Sequence, residues 1–250
     1  TVDWHERERF LKVDLPVAAV ALQAQYDSQY GLVSRPIAKS TASEEAKFES
    51  CTQRFVRVAE PDYAVAVVND SIYGSDLAPI AADVATGTQA GTMIRLSLLS
   101  APVYPDPRTD IGVHRFSWAV LADAGVARTL EAAAMNAPTL DGVPAIAPPV
   151  RLETTEGTVV VDWIKLADDG SGDLIVRLYE AAGGHAAATL HVADALHGAE
   201  VRETDVLERD ALAGDLPVCL PGRGRFAAEG ARVRLNPFQL ATLRIRGPRR

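Results

Sequence analysis

Short runs in which apolar and polar residues alternate limit what this chain can fold into. Residues 10–16 (FLKVDLP) alternate, and residues 17–26 (VAAVALQAQY) begin apolar and then alternate. A period of two, with β-branched and aromatic side chains, belongs to half-buried strands. The same reading predicts strands at 29–34, 46–59, 62–69 (DYAVAVVN), 92–99 (TMIRLSLL) and 113–122 (VHRFSWAVLA). NDSIYG at 69–74 is rich in turn formers and predicts a chain reversal. Residues 75–91, rich in Ala, Gly, Thr and Asp, read as a surface insertion. Residues 126–135 (VARTLEAAAM) give the best helix, and a short one.

Residues 137–149 hold four prolines and no periodicity, which predicts a linker. Beyond it the β pattern resumes at 157–166, 173–181, 186–192, 198–208, 216–220, 231–235 and 238–246. Seven short strands between Gly and Asp turns predict a compact sandwich of about 100 residues. The expected division is 1–138, a linker at 139–150, and 151–250.

Hydrophobic residues make up 48% and charged residues 23% of the 250, ordinary for a globular protein. The net charge of −8 argues against a nucleic-acid or anionic-membrane partner, both of which need a basic face. No apolar run reaches the length of a membrane span. The charged N-terminus, TVDWHERERFLKV, carries no signal peptide, lacks an initiator Met and reads as a cut from a longer chain. Cys51 and Cys219 read as free buried thiols of a cytosolic protein, with a single disulfide as the alternative.

YPDPRTDIGVHRF at 104–116 looks like chemistry, because Asp106, Asp110 and His114 are spaced by four. Pro105, Pro107 and Gly112 deny the segment a continuous helix, and two carboxylates with one imidazole make an incomplete metal set. A loop whose Asp side chains bond backbone N–H groups is the stronger reading. DDGSGD at 168–173 reads as a hairpin turn rather than a calcium loop, lacking the required Glu. GRGRF at 222–226 reads as a loop, and His191 as a strand surface residue. The charges in RLYEAAGG (177–184) and DVLERD (205–210) read as solvent-facing, and Trp4, Trp118 and Trp163 as core.

Several segments, in order, resemble glycoside hydrolase family 38 α-mannosidases. They include VDWHERERFLKVDLPV, YDSQYGLVSRP, AKFESCTQRFVRVAE, YAVAVVNDSIYG, LSLLSAPVYPDPRTDIGVHRFSWAV, IKLADDGSGDLIVRLYEAAG, TDVLE and LNPFQLATLRI. AKFESCTQRF is most similar to the cytosolic and vacuolar branch. The resemblance implies a mostly β chain: part of a galactose-mutarotase-like supersandwich, then a small immunoglobulin-like β-sandwich. It implies retaining hydrolysis of α-mannosides by two carboxylates about 5 Å apart, with a divalent metal, usually zinc, in a β/α catalytic barrel. None of that barrel is in this sequence, so no cofactor and no catalytic residue is assigned here. The implied partners are the barrel in cis and mannosides or glycans, with homo-oligomerisation open. Arg35, Asp110 and His114 are the candidate cleft-rim or barrel-interface residues. The chain departs from the family pattern at Ser100 (Arg expected), Ala38 (His), Ser40 (Asn) and Ala64 (Gly).

Three functions follow as expectations. The first is a cytoplasmic, non-catalytic C-terminal region that packs on a mannosidase barrel. The second is a carbohydrate-binding module, which would need exposed aromatic platforms. The third is a mutarotase-like enzyme, which needs a Glu and His pair such as His114 with Glu49 or Glu60.

Overall fold

The computed structural model describes residues 1–137, 147–196, 198–210, 224–225 and 230–247. The chain divides into two compact units, Thr1–Leu140 and Asp141–Arg250. Most of the expected linker, the expected strand at 216–220, His197, Cys219 and most of GRGRF lie outside the described residues.

The first unit runs β1 (Val2–Trp4), β2 (Leu11–Val17), β3 (Gln23–Ser28), β4 (Gly31–Pro36), α1 (Ala42–Ala46), β5 (Ser50–Cys51), β6 (Phe55–Ala59), β7 (Ala64–Asn69), β8 (Gly74–Ile80), β9 (Gly91–Leu99), β10 (Gly112–His114), β11 (Trp118–Ala122) and α2 (Val126–Ala132). A 3-10 turn, Ala133–Asn136, follows α2. A five-stranded antiparallel sheet has the order β11-β7-β6-β3-β4 and a four-stranded one the order β2-β9-β8-β5. Alternation decides which side chains meet. Ala24, Tyr26, Val56, Val58, Val65 and Val67 of the first sheet share a core with Leu77, Ile94 and Leu96 of the second. The far face of the five-stranded sheet is covered as well: Leu32, Phe55 and Val68 pack with Ala133, Val126 and Leu130 around α2. All six residues of β7 are therefore buried, and its sequence reads as a near-continuous apolar run.

The second unit runs β12 (Val150–Glu156), β13 (Val159–Leu166), β14 (Leu174–Glu180), β15 (Ala186–Val192), β16 (Glu200–Thr204), β17 (Gly224–Arg225), β18 (Ala231–Leu235) and β19 (Leu240–Arg246). Sheets ordered β12-β15-β18 and β13-β14-β19-β16-β17 face one another. Val150, Ala188, Leu190, Val233 and Leu235 pack against Val176, Leu178, Val201, Leu243 and Ile245. DDGSGD closes the β13–β14 hairpin, with Leu166 opposite Leu174.

The structure corrects several expectations. Residues 74–80 are a strand, not an insertion; the exposed part of that segment is 81–90. Its buried Asp76 is neutralised across the sheet by Lys12 (2.5 Å) and Arg95 (2.7 Å), a pairing no local pattern reveals. The expected strand 113–122 is two strands in different sheets, and the expected strand 46–59 contains only Ser50–Cys51 and Phe55–Ala59. Cys51 is free and exposed rather than buried. Trp163 is 60% and Trp118 37% exposed. Both lie on strands with one free edge, and a bulge at Asp162 shifts the register beside Trp163.

Two charges expected in solvent, Glu180 and Glu208, are buried. Glu180 is fully buried, and its carboxylate accepts from the backbone N–H groups of Ala182 (2.8 Å), Gly183 (2.7 Å), Gly184 (3.2 Å) and Phe238 (3.1 Å). It binds the β14–β15 turn to the turn before β19. Gly183 has φ +81, and a Cβ there would stand 2.6 Å from the Phe238 ring, so only glycine fits. Arg244, also buried, donates to Asp173 (2.6 Å), Asp169 (2.6 Å) and the Ser171 hydroxyl (2.8 Å), clamping the DDGSGD turn to β19. The Ser171 hydroxyl and then Arg244 hold the Asp169 carboxyl well below the usual carboxylate range.

Two outcomes follow. Glu180→Gln turns an amide N–H₂ toward backbone donors and should cost about 2 kcal/mol in urea unfolding followed by Trp163 fluorescence. Arg244→Met leaves Asp173 with the weaker Arg246 contact at 3.3 Å and should cost about 3 kcal/mol in the same assay. A depressed carboxylate stabilises above its unfolded value and loses that contribution as pH falls through its folded value. NMR titration of Asp169 should therefore move upward in Arg244→Met while Ser171 still holds it below the usual carboxylate range, with less stability lost on acidification.

Candidate functional site

The 104–116 loop is built on turn chemistry. Asp106 accepts from the Arg108 backbone N–H (2.8 Å), and the Thr109 hydroxyl donates to the Asp106 carbonyl (2.8 Å). Asp110, at φ +63, accepts through Oδ2 from the backbone N–H groups of Ser100 (3.0 Å) and Ala101 (2.8 Å). His114 Nε2 lies 2.8 Å from the Asp110 carbonyl oxygen, an acceptor, so this nitrogen donates. The imidazole stacks on Phe116, with ring centroids 6.0 Å apart. Asp110 and His114 thus bolt the end of β9 to the start of β10. Their spacing of four is a structural tie. Among the described residues no three His, Cys, Asp or Glu side chains stand together as metal donors.

The Glu and His pair of the mutarotase-like alternative is not assembled either. Glu60 accepts from the Val20 backbone N–H (2.6 Å). Glu49 meets Lys12 (3.2 Å) and the Ser97 hydroxyl.

Arg35 lies elsewhere in the first unit. It lines a half-open cleft of about 430 Å³. Its guanidinium sits 5.3 Å from the centroid of the buried Tyr26 ring, a cation–π arrangement. Burial raises the Tyr26 phenol above its ordinary value, while the Ser50 hydroxyl and the nearby Arg35 charge pull it down. Asp76 and Glu49 form part of the lining, and Lys39, Lys47 and Phe48 come from the segment around α1. Thr41 caps α1: its hydroxyl accepts from the Glu44 backbone N–H (3.2 Å), while Glu44 accepts from the N–H groups of Ser40 (2.8 Å) and Thr41 (3.0 Å).

Sequence reasoning reached Arg35, and missed Lys39, Lys47 and Phe48. The signal was present: Thr41-Ala-Ser-Glu44 is a capping-box pattern that starts a helix. Of the family departures, Ala38 lines this cleft. Ser100 lines a separate groove of about 410 Å³ with Phe10 and Tyr104. Neither Asp110 nor His114 lines the Arg35 cleft.

Comparison with known proteins fits this architecture. Residues 1–108 match the family model "Glycosyl hydrolases family 38 C-terminal domain", and residues 158–243 match "Glycosyl hydrolases family 38 C-terminal beta sandwich domain". The chain is 31% identical to Alpha-mannosidase 2C1 of Homo sapiens over 97% of its own length and 22% of that protein. It is 26% identical to Alpha-mannosidase of Saccharomyces cerevisiae over 97% of its length and 23% of that protein. The chain thus spans under a quarter of these relatives. A crystal structure of a glycosyl hydrolase family 38 protein from Enterococcus faecalis shares the fold, with a TM-score of 0.63 at 19% identity over 97% of this chain and 27% of that one. Both matched domains and the two β units place the chain plainly: it belongs to glycosyl hydrolase family 38, and is a C-terminal β region of that family's α-mannosidases.

Proposed function

We propose that this chain is the non-catalytic C-terminal region of a retaining α-mannosidase acting on terminal α-mannosides, packing on the catalytic barrel in cis and completing its cleft rim. The carrying observation is that both C-terminal family domains occupy this chain in order. In support, four of its carboxylates are spent on structure: Asp110 on two backbone amides, Glu180 on four, Asp76 and Glu49 on cations. Hydrolysis with retention needs two carboxylates flanking the glycosidic bond, and the barrel would supply them. The family resemblance implies a divalent metal; among the described residues no three His, Cys, Asp or Glu side chains stand together as its donors, and this reading assigns that ion to the barrel. The exposed free thiol of Cys51 suits a reducing cytoplasm, and no helix among the described residues is long and apolar enough to cross a membrane.

A second reading, a carbohydrate-binding module, is favoured by one observation. Trp163 stands exposed on β13, opposite Arg177 of β14, as a stacking platform would.

The purified chain should not hydrolyse an aryl α-mannoside with or without added zinc; metal-dependent turnover abolished by chelation would overturn the main reading. Calorimetric titration with mannose oligosaccharides separates the second. Scaffold function predicts no heat of binding, whereas millimolar or tighter binding lost in Trp163→Ala would establish the module.

A further inference from the structure

We propose that the cleft over Tyr26 binds a hexose-sized ligand bearing an oxyanion, a sugar phosphate or a sugar carboxylate, held by Arg35, Lys39 and Lys47. This inference rests on the first unit alone and is independent of the mannosidase reading. The cleft, at about 430 Å³, falls in the size range of small-molecule sites.

Its charges divide into two sets. The carboxylates are answered internally. Asp76 is bridged by Lys12 and Arg95, Glu49 by Lys12 and the Ser97 hydroxyl, and Glu44 by the backbone amides of the capping box. The cations at the mouth are not: among the described residues Arg35, Lys39 and Lys47 make no ion pair, although Glu44 lies close enough to feel Lys47. Counted with Lys12 and Arg95, the three carboxylates of the lining face five cations, a local positive excess in a chain of net charge −8.

The cations differ in kind. Arg35 is oriented on the Tyr26 face, leaving a planar fork of N–H donors whose geometry matches phosphate or carboxylate oxygens. Lys39 and Lys47 are mobile point charges able to follow a second oxygen. Beside them Phe48, 54% exposed, is held by an edge contact to Phe10 at 6.2 Å and 87°. It presents an apolar ring of the sort that stacks on sugar C–H faces. Ser50, which lines the cleft with Tyr26, supplies a hydroxyl for sugar hydroxyls. An oxyanion explains the cations; the ring, the hydroxyl and the volume call for a sugar-sized body attached to it.

The test is calorimetric titration of the purified chain at low salt with hexose 6-phosphate, hexuronate, the free hexose and inorganic phosphate. One of the first two should bind, with the free hexose and inorganic phosphate each roughly tenfold weaker or more. Preference for the phosphate or the carboxylate ligand names the source of the oxyanion. Arg35→Gln should weaken binding about tenfold, while Arg35→Lys, keeping charge and losing the fork, should retain part of it. The thermal midpoint of each variant is measured alongside; if Arg35→Gln unfolds, Lys39→Ala with Lys47→Ala carries the comparison, with an expected loss of about tenfold that shrinks at high salt. Absence of binding by either anionic sugar, affinity indifferent to these substitutions, or inorganic phosphate binding as tightly as the sugar ligands would overturn the proposal.

Discussion

A strand enclosed on both faces must be central. It needs a hydrogen-bonding partner along each edge and a layer over each side. In the first unit β7 is that strand, and the rest of the unit supplies what it needs. β6 and β11 pair with its edges. Val65 and Val67 meet the four-stranded sheet, and Val68 meets the layer around α2. Its small residues have the same origin. Ala64 and Ala66 pack against Ala124, whose backbone N–H donates to the Ala64 carbonyl at 2.9 Å. A larger side chain at position 64 would push away the turn that starts α2. Position 64, Gly in the family pattern and Ala here, thus stands at a close backbone approach that asks for a small residue.

The second unit has its own central strand in β19, paired along both edges and buried at five of its seven residues, but here the enclosing polar contacts come from the turns. Two sheets with one shared apolar layer still require that the hairpins aim correctly, and the unit places its buried charges at those hairpins. Glu180 gathers amides from two separate turns, and Arg244 reaches from the last strand into the first hairpin. Charges taken out of water are tolerable only when fully partnered. Each is surrounded by several bonds, and each constrains backbone far away in sequence.

This explains what was legible beforehand. Period-two alternation located most strands, because each strand carries its own burial pattern. The prolines and glycine in 104–116 announced a loop, and the structure places a loop there. Long-range pairing was not legible. Asp76 resembles a surface residue until Lys12 and Arg95 appear beside it, and Glu180 resembles a solvent-facing strand charge until Phe238 supplies a fourth amide. Trp163 carried an apolar label that predicted core. Its position on an edge strand, after a bulge, exposes it instead. The helix at Ala42–Ala46 was written in a four-residue capping pattern and was hidden by the apolar residues that follow it. Of the residues singled out for the site, Asp110 and His114 come together as a tie, whereas Arg35 faces a different cleft with partners from a segment first read as a strand.

Net charge is an equally incomplete guide at short range. An excess of acidic groups sets the potential felt by a large polyanion, whose charges remain many ångströms from most of the surface. Screening confines each charge to about 8 Å at physiological ionic strength. Within that distance of Arg35, the balance is set by neighbours rather than by the chain average, and Asp76 and Glu49 are already neutralised from the far side by Lys12 and Arg95. The same network that makes the carboxylates tolerable in β8 and before β5 leaves the mouth cations without an ion pair among the described residues. A small anion can enter that local field. A polyanion extending over more of the surface would meet the acidic excess of the chain, and so the expectation drawn from composition and the proposed cleft are compatible.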